Sequence, residues 1–303
     1  LNRTIKRAAA MFFKNVDTFP DQNITDFCAA GASVSEEIIS VNVNVALRVL
    51  TFIPPGKLKY PAVMFIPGWV SQMFGWKEVL LDMTKDFKIY YVETREKISS
   101  KVQGKVKYDV ESIGLDIVTL IENFNLKNRE YILFGSSLGG TTILDLYRFL
   151  KQKPLCLVLV GPNAVFRIPR IWIFIVKLFY PGWYDLIKPS VKWYLRKFRL
   201  DLDSDYAQYE KYCRAIDSGD PWKLKKGVLS LCKYEIWPLL KDINIPTLMF
   251  GASKDKLHEP DNLRKMVRLM PQATYLDLQT NQLTHSQQMV EQMRKYLDTI
   301  LAG

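Results

Sequence analysis

The chain has 303 residues, 48% hydrophobic and 24% charged, and no segment repeats at a fixed period, which excludes a repeat array or a disordered chain and leaves room for one large buried core. The 42 Lys and Arg against 31 Asp and Glu leave a net charge of +11, which favours anionic partners, either a membrane surface or an anionic substrate. Nucleic acid is set aside, because there is no zinc-finger spacing, no aromatic-rich RNA-binding signature and no long basic tail.

Arg3, Lys6 and Arg7 precede a short apolar stretch from Ala8 to Phe13, too short for a membrane span or an ordinary signal core, and residues 1–35 are read as an N-terminal helical extension. Residues 36–53 alternate, with Ile39, Val41, Val43, Val45, Leu47 and Val49 on one face. That pattern predicts an antiparallel opening hairpin. After Pro54-Pro55-Gly56 come short, continuously apolar runs at Ala62 to Ile66, Ile89 to Val92, Tyr131 to Phe134, Leu155 to Val160 and Thr247 to Phe250. Runs apolar on both faces predict a buried parallel sheet. Helical periods lie between them: Ile113, Ile117, Leu120 and Ile121 before the third run, Ile143, Leu144, Tyr147 and Leu150 after it. A last alternation at Tyr275 to Leu278 precedes a closing helix with Val290, Met293, Leu297 and Ile300 on one face. The expected fold class is α/β, a mostly parallel doubly wound sheet, with a core of residues 36–165 and 244–303.

Residues 166–243 break this alternation. They contain no strand-like run and are read as an inserted helical cap. From Phe166 to Arg199 there are ten aromatics and eight Lys or Arg against one acid, Asp185. Two readings stand side by side. Either Trp172, Phe174, Phe179, Trp183 and Trp193 meet acyl chains or a bilayer boundary while the cations meet anionic head groups, or the aromatics pack the cap onto the core and the charges are its solvated face. Ile171 to Tyr180, the longest strongly apolar stretch outside the N-terminus, is interrupted by Lys177 and cannot span a bilayer.

The segment Gly135-Ser136-Ser137-Leu138-Gly139 follows directly on one apolar run and opens into a helical period, the context of a nucleophile elbow: a sharp turn, glycines for close approach, and the Ser137 hydroxyl raised above the sheet edge. Serine needs a base, and the chain has two histidines, His258 and His285. His285 sits between the last strand and the closing helix, where sheet loops converge on the elbow, whereas His258 is read as structural or surface. A carboxylate must orient the imidazole. Asp255, at the end of the run from Thr247, meets this; Glu259 and Asp277 are the alternatives, read more simply as solvated charges. The chain order is then Ser, Asp, His.

Residues 61–162 and 244–303 resemble the α/β-hydrolase superfamily, especially its capped serine esterases and monoacylglycerol-lipase-like members, through the elbow, the GASKD segment and the LTHS segment. The resemblance implies an oxyanion hole from the backbone N–H groups of Leu138 and of Trp69 in Ile66-Pro67-Gly68-Trp69. Pro67 stands where the family often has His, and Val92-Glu93-Thr94-Arg95-Glu96 replaces a frequent Asp-x-Arg-Gly loop; no role is read for it. The expected function is hydrolysis of lipophilic acyl esters, small molecules or lipids, through an acyl-enzyme on Ser137, with an apolar pocket lined by Trp172, Phe174, Phe179 and Trp183. No metal or organic cofactor is implied. The same triad would serve a thioesterase or an acyltransferase, and a non-catalytic ligand-binding protein is the rival from another class. Cys28, Cys156, Cys213 and Cys232 form no CxxC pair and read as reduced thiols, which fits a cytoplasmic compartment with peripheral membrane contact.

Overall fold

The computed structural model describes residues 23–166, 168–199, 206–254 and 260–302. Most of the expected N-terminal extension therefore lies outside the described residues, as do Asp255, His258 and Glu259. From Asn23 to Ala32 the regular structure is one short 3-10 turn, Ile24–Phe27, capped by the Asn23 side chain.

Strand β1 (Ser33–Asn42) and β2 (Val45–Ile53) form the antiparallel hairpin. It opens three residues before the alternating stretch, because Ser33, Val34 and Ser35 pair with Ile53, Phe52 and Thr51. The turn between them closes on Asn42, whose Oδ1 accepts from the Asn44 amide at 2.9 Å, a local alternative to the ladder that Asn favours. Then follow β3 (Ala62–Ile66), β4 (Ile89–Glu93), the two-residue β5 (Lys101–Val102), β6 (Tyr131–Ser136), β7 (Cys156–Val160), β8 (Thr247–Gly251) and β9 (Ala273–Asp277). The sheet order is β1-β2-β4-β3-β6-β7-β8-β9, with β5 paired to β2. The pairs from β4-β3 through β8-β9 are parallel.

Alternate residues of the central strands enter two separate cores, which is why these strands are apolar throughout. Met64, Ile66, Leu133, Leu157 and Leu159 meet helices α2 (Val110–Asn123) and α3 (Leu138–Leu146) on one side. Val63, Phe65, Ile132, Phe134 and Val158 meet α1 (Lys77–Met83) and the closing helix on the other. Between β7 and β8 the described residues form α4 (Arg170–Leu178), α5 (Tyr184–Tyr194), α6 (Tyr206–Asp217) and α7 (Pro221–Leu231), with an isolated bridge from Val165 to Glu235. Helices α8 (Pro260–Leu269) and α9 (Gln287–Ala302) complete the chain. Among the described residues no helix is long and apolar enough to cross a membrane.

Helix α9 is tied to α1 by Arg294, whose guanidinium reaches Asp82 at 2.5 Å and Asp86 at 2.8 Å. Burial raises the Asp82 carboxyl, but hydrogen bonds from Lys85 and Arg294 outweigh it and hold the group below its ordinary range. A depressed carboxylate contributes stability above its unfolded pKa and loses it as pH falls through the folded value. Arg294→Met is expected to cost about 2 kcal/mol at pH 7. In urea unfolding, that difference from the wild type should shrink below about pH 4 as the carboxylates protonate.

Candidate active site

Parallel pairing brings the carboxyl ends of β3, β6, β7, β8 and β9 to one edge of the sheet, the usual place for a ligand crevice in such folds. Ser137 stands there, between β6 and α3, with φ 48° and ψ −117°. This strained conformation, which costs a non-glycine residue about 1–3 kcal/mol, is held by two backbone bonds: Ser137 N donates to Val160 O at 2.9 Å, and Thr141 N donates to Ser137 O at 3.0 Å. The turn is tight enough to forbid side chains on both sides. A Cβ on Gly139 would lie 2.1 Å from Ile66 O, and one on Gly135 would lie 2.5 Å from Ile143 Cδ1.

Among the described residues, the hydrogen bond that Ser137 Oγ makes is with Asn163, whose Nδ2 donates at 2.9 Å. Asn163 lies just beyond β7 and is fixed through Thr141, whose Oγ1 accepts from Asn163 N at 3.0 Å and donates to Asn163 O at 2.9 Å. Because the Asn163 amide occupies a lone pair of Ser137 Oγ, the serine proton must point elsewhere. Sequence reasoning missed this residue. Its only signal was a polar side chain at a strand's carboxyl end, in Gly161-Pro162-Asn163.

His285 sits on a 3-10 turn, Leu283–His285, between β9 and α9. Its ring lies against Trp76 with centroids 4.1 Å apart. Nδ1 is 2.9 Å from Asn281 O, a carbonyl that can only accept, so the proton of a neutral ring is on Nδ1 and the lone pair on Nε2. That lone pair faces Lys211 Nζ of α6 at 2.7 Å. Here, then, His285 is in the tautomer a general base requires, with an ammonium, not the Ser137 hydroxyl, on its accepting nitrogen. Asp277 Oδ1 accepts from the amides of Ser253 at 2.9 Å and Gln279 at 2.8 Å, which fixes the turn after β8. Burial would raise its carboxyl, but those bonds hold it below the ordinary range.

The loop after β3 passes directly beside Ser137, since a Cβ on Gly68 would lie 3.2 Å from Ser137 Cβ. Gly68 O accepts from Ser71 N at 3.1 Å and from Lys97 Nζ, and Val70 takes a left-handed φ of 47°. The carbonyl and N–H of one peptide point in opposite directions, so anchoring Gly68 O on Lys97 aims the Trp69 N–H away from that lysine.

Lys97 directly follows the segment Val92 to Glu96, for which the sequence suggested no role, and the structure buries it with its neighbours. Arg95 makes a bidentate pair with Asp116, 2.7 Å to each oxygen, and Arg95 Nη1 donates to Lys107 O. Glu96 Oε1 accepts from Thr94 Oγ1 at 2.6 Å and lies 3.6 Å from Lys97 Nζ. Burial pushes the Lys97 ammonium below the usual lysine range, with Glu96 and Glu93 pulling the other way. From α7, Lys223 Nζ donates to Lys97 O and Ser100 O. Burial lowers Lys223 too, against Asp220 and Glu96. Helix α7 is placed for this by its N-cap Asp220, which accepts from the Trp222 and Lys223 amides, and by Pro221 in its first turn. The Trp69 indole packs 3.3 Å from where a Gly227 Cβ would stand, so α7 touches both the loop after β3 and the segment after β4.

Leu138, next to Ser137, packs in a buried apolar cluster with Val110, Ile113 and Leu231, and Trp69, Phe166 and Tyr234 lie partly buried against it. Trp172, Phe174 and Trp183, expected as pocket lining, are each more than half exposed and face outward. Phe179 is partly buried, and its carbonyl accepts from Lys225 Nζ at 2.8 Å.

No family model and no curated protein matches the chain. Solved structures do. An esterase from Thermogutta terrifontis, with malate bound, is 18% identical and superposes with a TM-score of 0.68 over 88% of this chain and 99% of its own. A putative lipase from Acinetobacter baumannii is 17% identical, with a TM-score of 0.67 over 95% of this chain and 99% of its own. An enol-lactonase from Burkholderia xenovorans is 14% identical, with a TM-score of 0.69 over 86% of this chain and 97% of its own. With its sheet order and its strand, Ser137, helix turn, the chain has the α/β-hydrolase fold.

Proposed function

We propose that the protein is a serine hydrolase of carboxylic esters, with Ser137 as nucleophile, His285 as general base and Asp255 as the acid that orients it. The observation that carries the reading is the Ser137 turn: a positive φ, locked by glycines that admit no Cβ, at the same sheet edge as a histidine protonated on Nδ1. Ser137 Oγ would bond to the ester carbonyl carbon while its proton passes to His285 Nε2. The N–H groups of Leu138 and Trp69 would receive the charge developing on the carbonyl oxygen. Collapse breaks the bond to the leaving alcohol, which takes the proton from His285, and water activated by His285 then releases the acid and frees Ser137. The apolar side chains at Leu138 and Phe166 support a lipophilic acyl group. The same steps serve a thioester, or an alcohol in place of water.

Labelling with a neutral fluorophosphonate tests the reading. Stoichiometric modification is expected, abolished in Ser137→Ala, and a wild type that stays unlabelled and inactive would favour a binding protein instead.

The inserted helices act, in this reading, as a cap that also rests on anionic lipid. In α4, Ile171, Trp172, Phe174 and Ile175 are exposed between Arg170 and Lys177, and a face of that composition suits a charged bilayer boundary. Co-sedimentation with phosphatidylglycerol vesicles is expected, weakened by Trp172→Ala/Phe174→Ala, with little binding to phosphatidylcholine. Equal binding to both lipids would refute the electrostatic part.

A further inference from the structure

The cap contributes a cation to the base itself. Lys211 Nζ of α6 stands 2.7 Å from His285 Nε2, and the lysine stem runs past Gly75, where a Cβ would meet Lys211 Cδ and Cε at 3.1 Å. Its ammonium lies 5.7 Å from the Trp76 ring. Three residues on, the Arg214 guanidinium stacks on Phe74 at 3.8 Å and pairs with Glu210 at 2.7 Å. Ser218 Oγ, just past the end of α6, accepts from Gln72 Nε2. Helix α6 is thus pinned along residues 72–76, with Lys211 delivered to the imidazole.

An imidazole nitrogen has one lone pair, so Lys211 and the Ser137 hydroxyl compete for Nε2. Turnover requires the ammonium to leave. In the step that expels the alcohol or thiol, Nε2 gives its proton to the leaving atom, so the leaving group must lie against Nε2, at the place that Lys211 borders. A leaving group carrying an anion draws Lys211 off Nε2 into a charge-assisted pair, whereas a neutral one offers no such pair and reacts more slowly.

We infer that Lys211 is a specificity-determining residue that selects acyl esters or thioesters whose leaving group bears a carboxylate or a phosphate. This rests on the Ser137 and His285 reading above.

The test uses the full chain and three butanoate esters with a common acyl group: those of meta-hydroxybenzoate, of its methyl ester, and of meta-hydroxyphenyl phosphate. Wild type is expected to favour the anionic esters over the neutral one by about 10-fold or more in kcat/KM; the better of the two identifies carboxylate or phosphate as the preferred anion. Lys211→Met should abolish that preference and raise turnover of the neutral ester, while Lys211→Arg, which keeps the charge, should retain the preference. A Lys211→Met protein that keeps the preference, or slows equally on all three esters, overturns the proposal. Fluorophosphonate labelling separates the two levels. Labelling of Ser137 in both proteins with an unchanged ester ratio sinks the role of Lys211 alone, whereas no labelling in either sinks the hydrolase reading and this inference with it.

Discussion

Ser137→Ala is expected to lower kcat for ester hydrolysis by about 10⁴-fold or more, with His285→Ala close to it and the double variant no worse than either single one. The reason is chemical rather than additive: an alcohol without its base and a base without its alcohol are equally unable to form the acyl-enzyme. Neither change should disturb folding much. Ser137 is held through its backbone bonds to Val160 and Thr141, which alanine keeps, although Asn163 Nδ2 loses its acceptor. Steady-state rates on one ester, beside thermal melts of all four proteins, check this. If the double variant loses as much again as the two single losses multiplied, the two residues act independently and the nucleophile and base assignment fails.

The second large effect is assigned to Lys97, which in this reading is a positioning residue. Its ammonium holds Gly68 O, and that peptide carries the Trp69 N–H proposed as an oxyanion donor. Lys97→Met releases the carbonyl and lets the peptide turn. Loss of one aimed donor typically costs about 10²-fold in kcat, and the fall is expected in kcat with KM little changed, because the interaction strengthens as charge develops on the oxygen. Lys97 is buried against Glu96, so the single change also leaves a carboxylate with less compensation and destabilises the fold. Lys97→Met/Glu96→Gln removes that imbalance. The double variant should regain melting temperature but not kcat; recovery of both would show that Lys97 matters only for stability.

The contribution of α7 follows from the same contacts. Lys223 seats the inserted helices on Lys97 and Ser100, and the surface that Gly227 offers to Trp69 seats them on the proposed oxyanion loop, so movement of these helices would be felt at the peptide after Gly68. Lys211 carries the other link, from α6 to His285. The helices between β7 and β8 therefore touch both the proposed oxyanion donor and the proposed base.

The α/β fold was legible in the sequence because period and composition are local. Runs such as Ala62 to Ile66 are apolar on both faces whichever strands they join, and GSSLG between a strand and a helix admits few backbone paths. The helices between β7 and β8 were legible in the same way, from the loss of strand runs after Phe166. The facing of Trp172, Phe174 and Trp183 was not legible. An aromatic on helical spacing looks the same whether it packs inward or outward, and only the placement of α4 and α5 decided it.

Lys97 and Lys211 had no local signature either, and Asn163 had only its place at the end of β7. Each lies far from Ser137 or His285 along the chain, and a lone Asn or Lys is ordinary on a surface. What made them part of the site was long-range: parallel pairing that sets the end of β7 beside the elbow, burial that sets Lys97 Nζ against Gly68 O, and the packing of α6 along residues 72–76. The sequence by itself determined the fold class and the candidate nucleophile and base. The tertiary structure alone decided which polar groups surround them, because hydrogen-bond partners separated by many residues are chosen by packing, not by spacing.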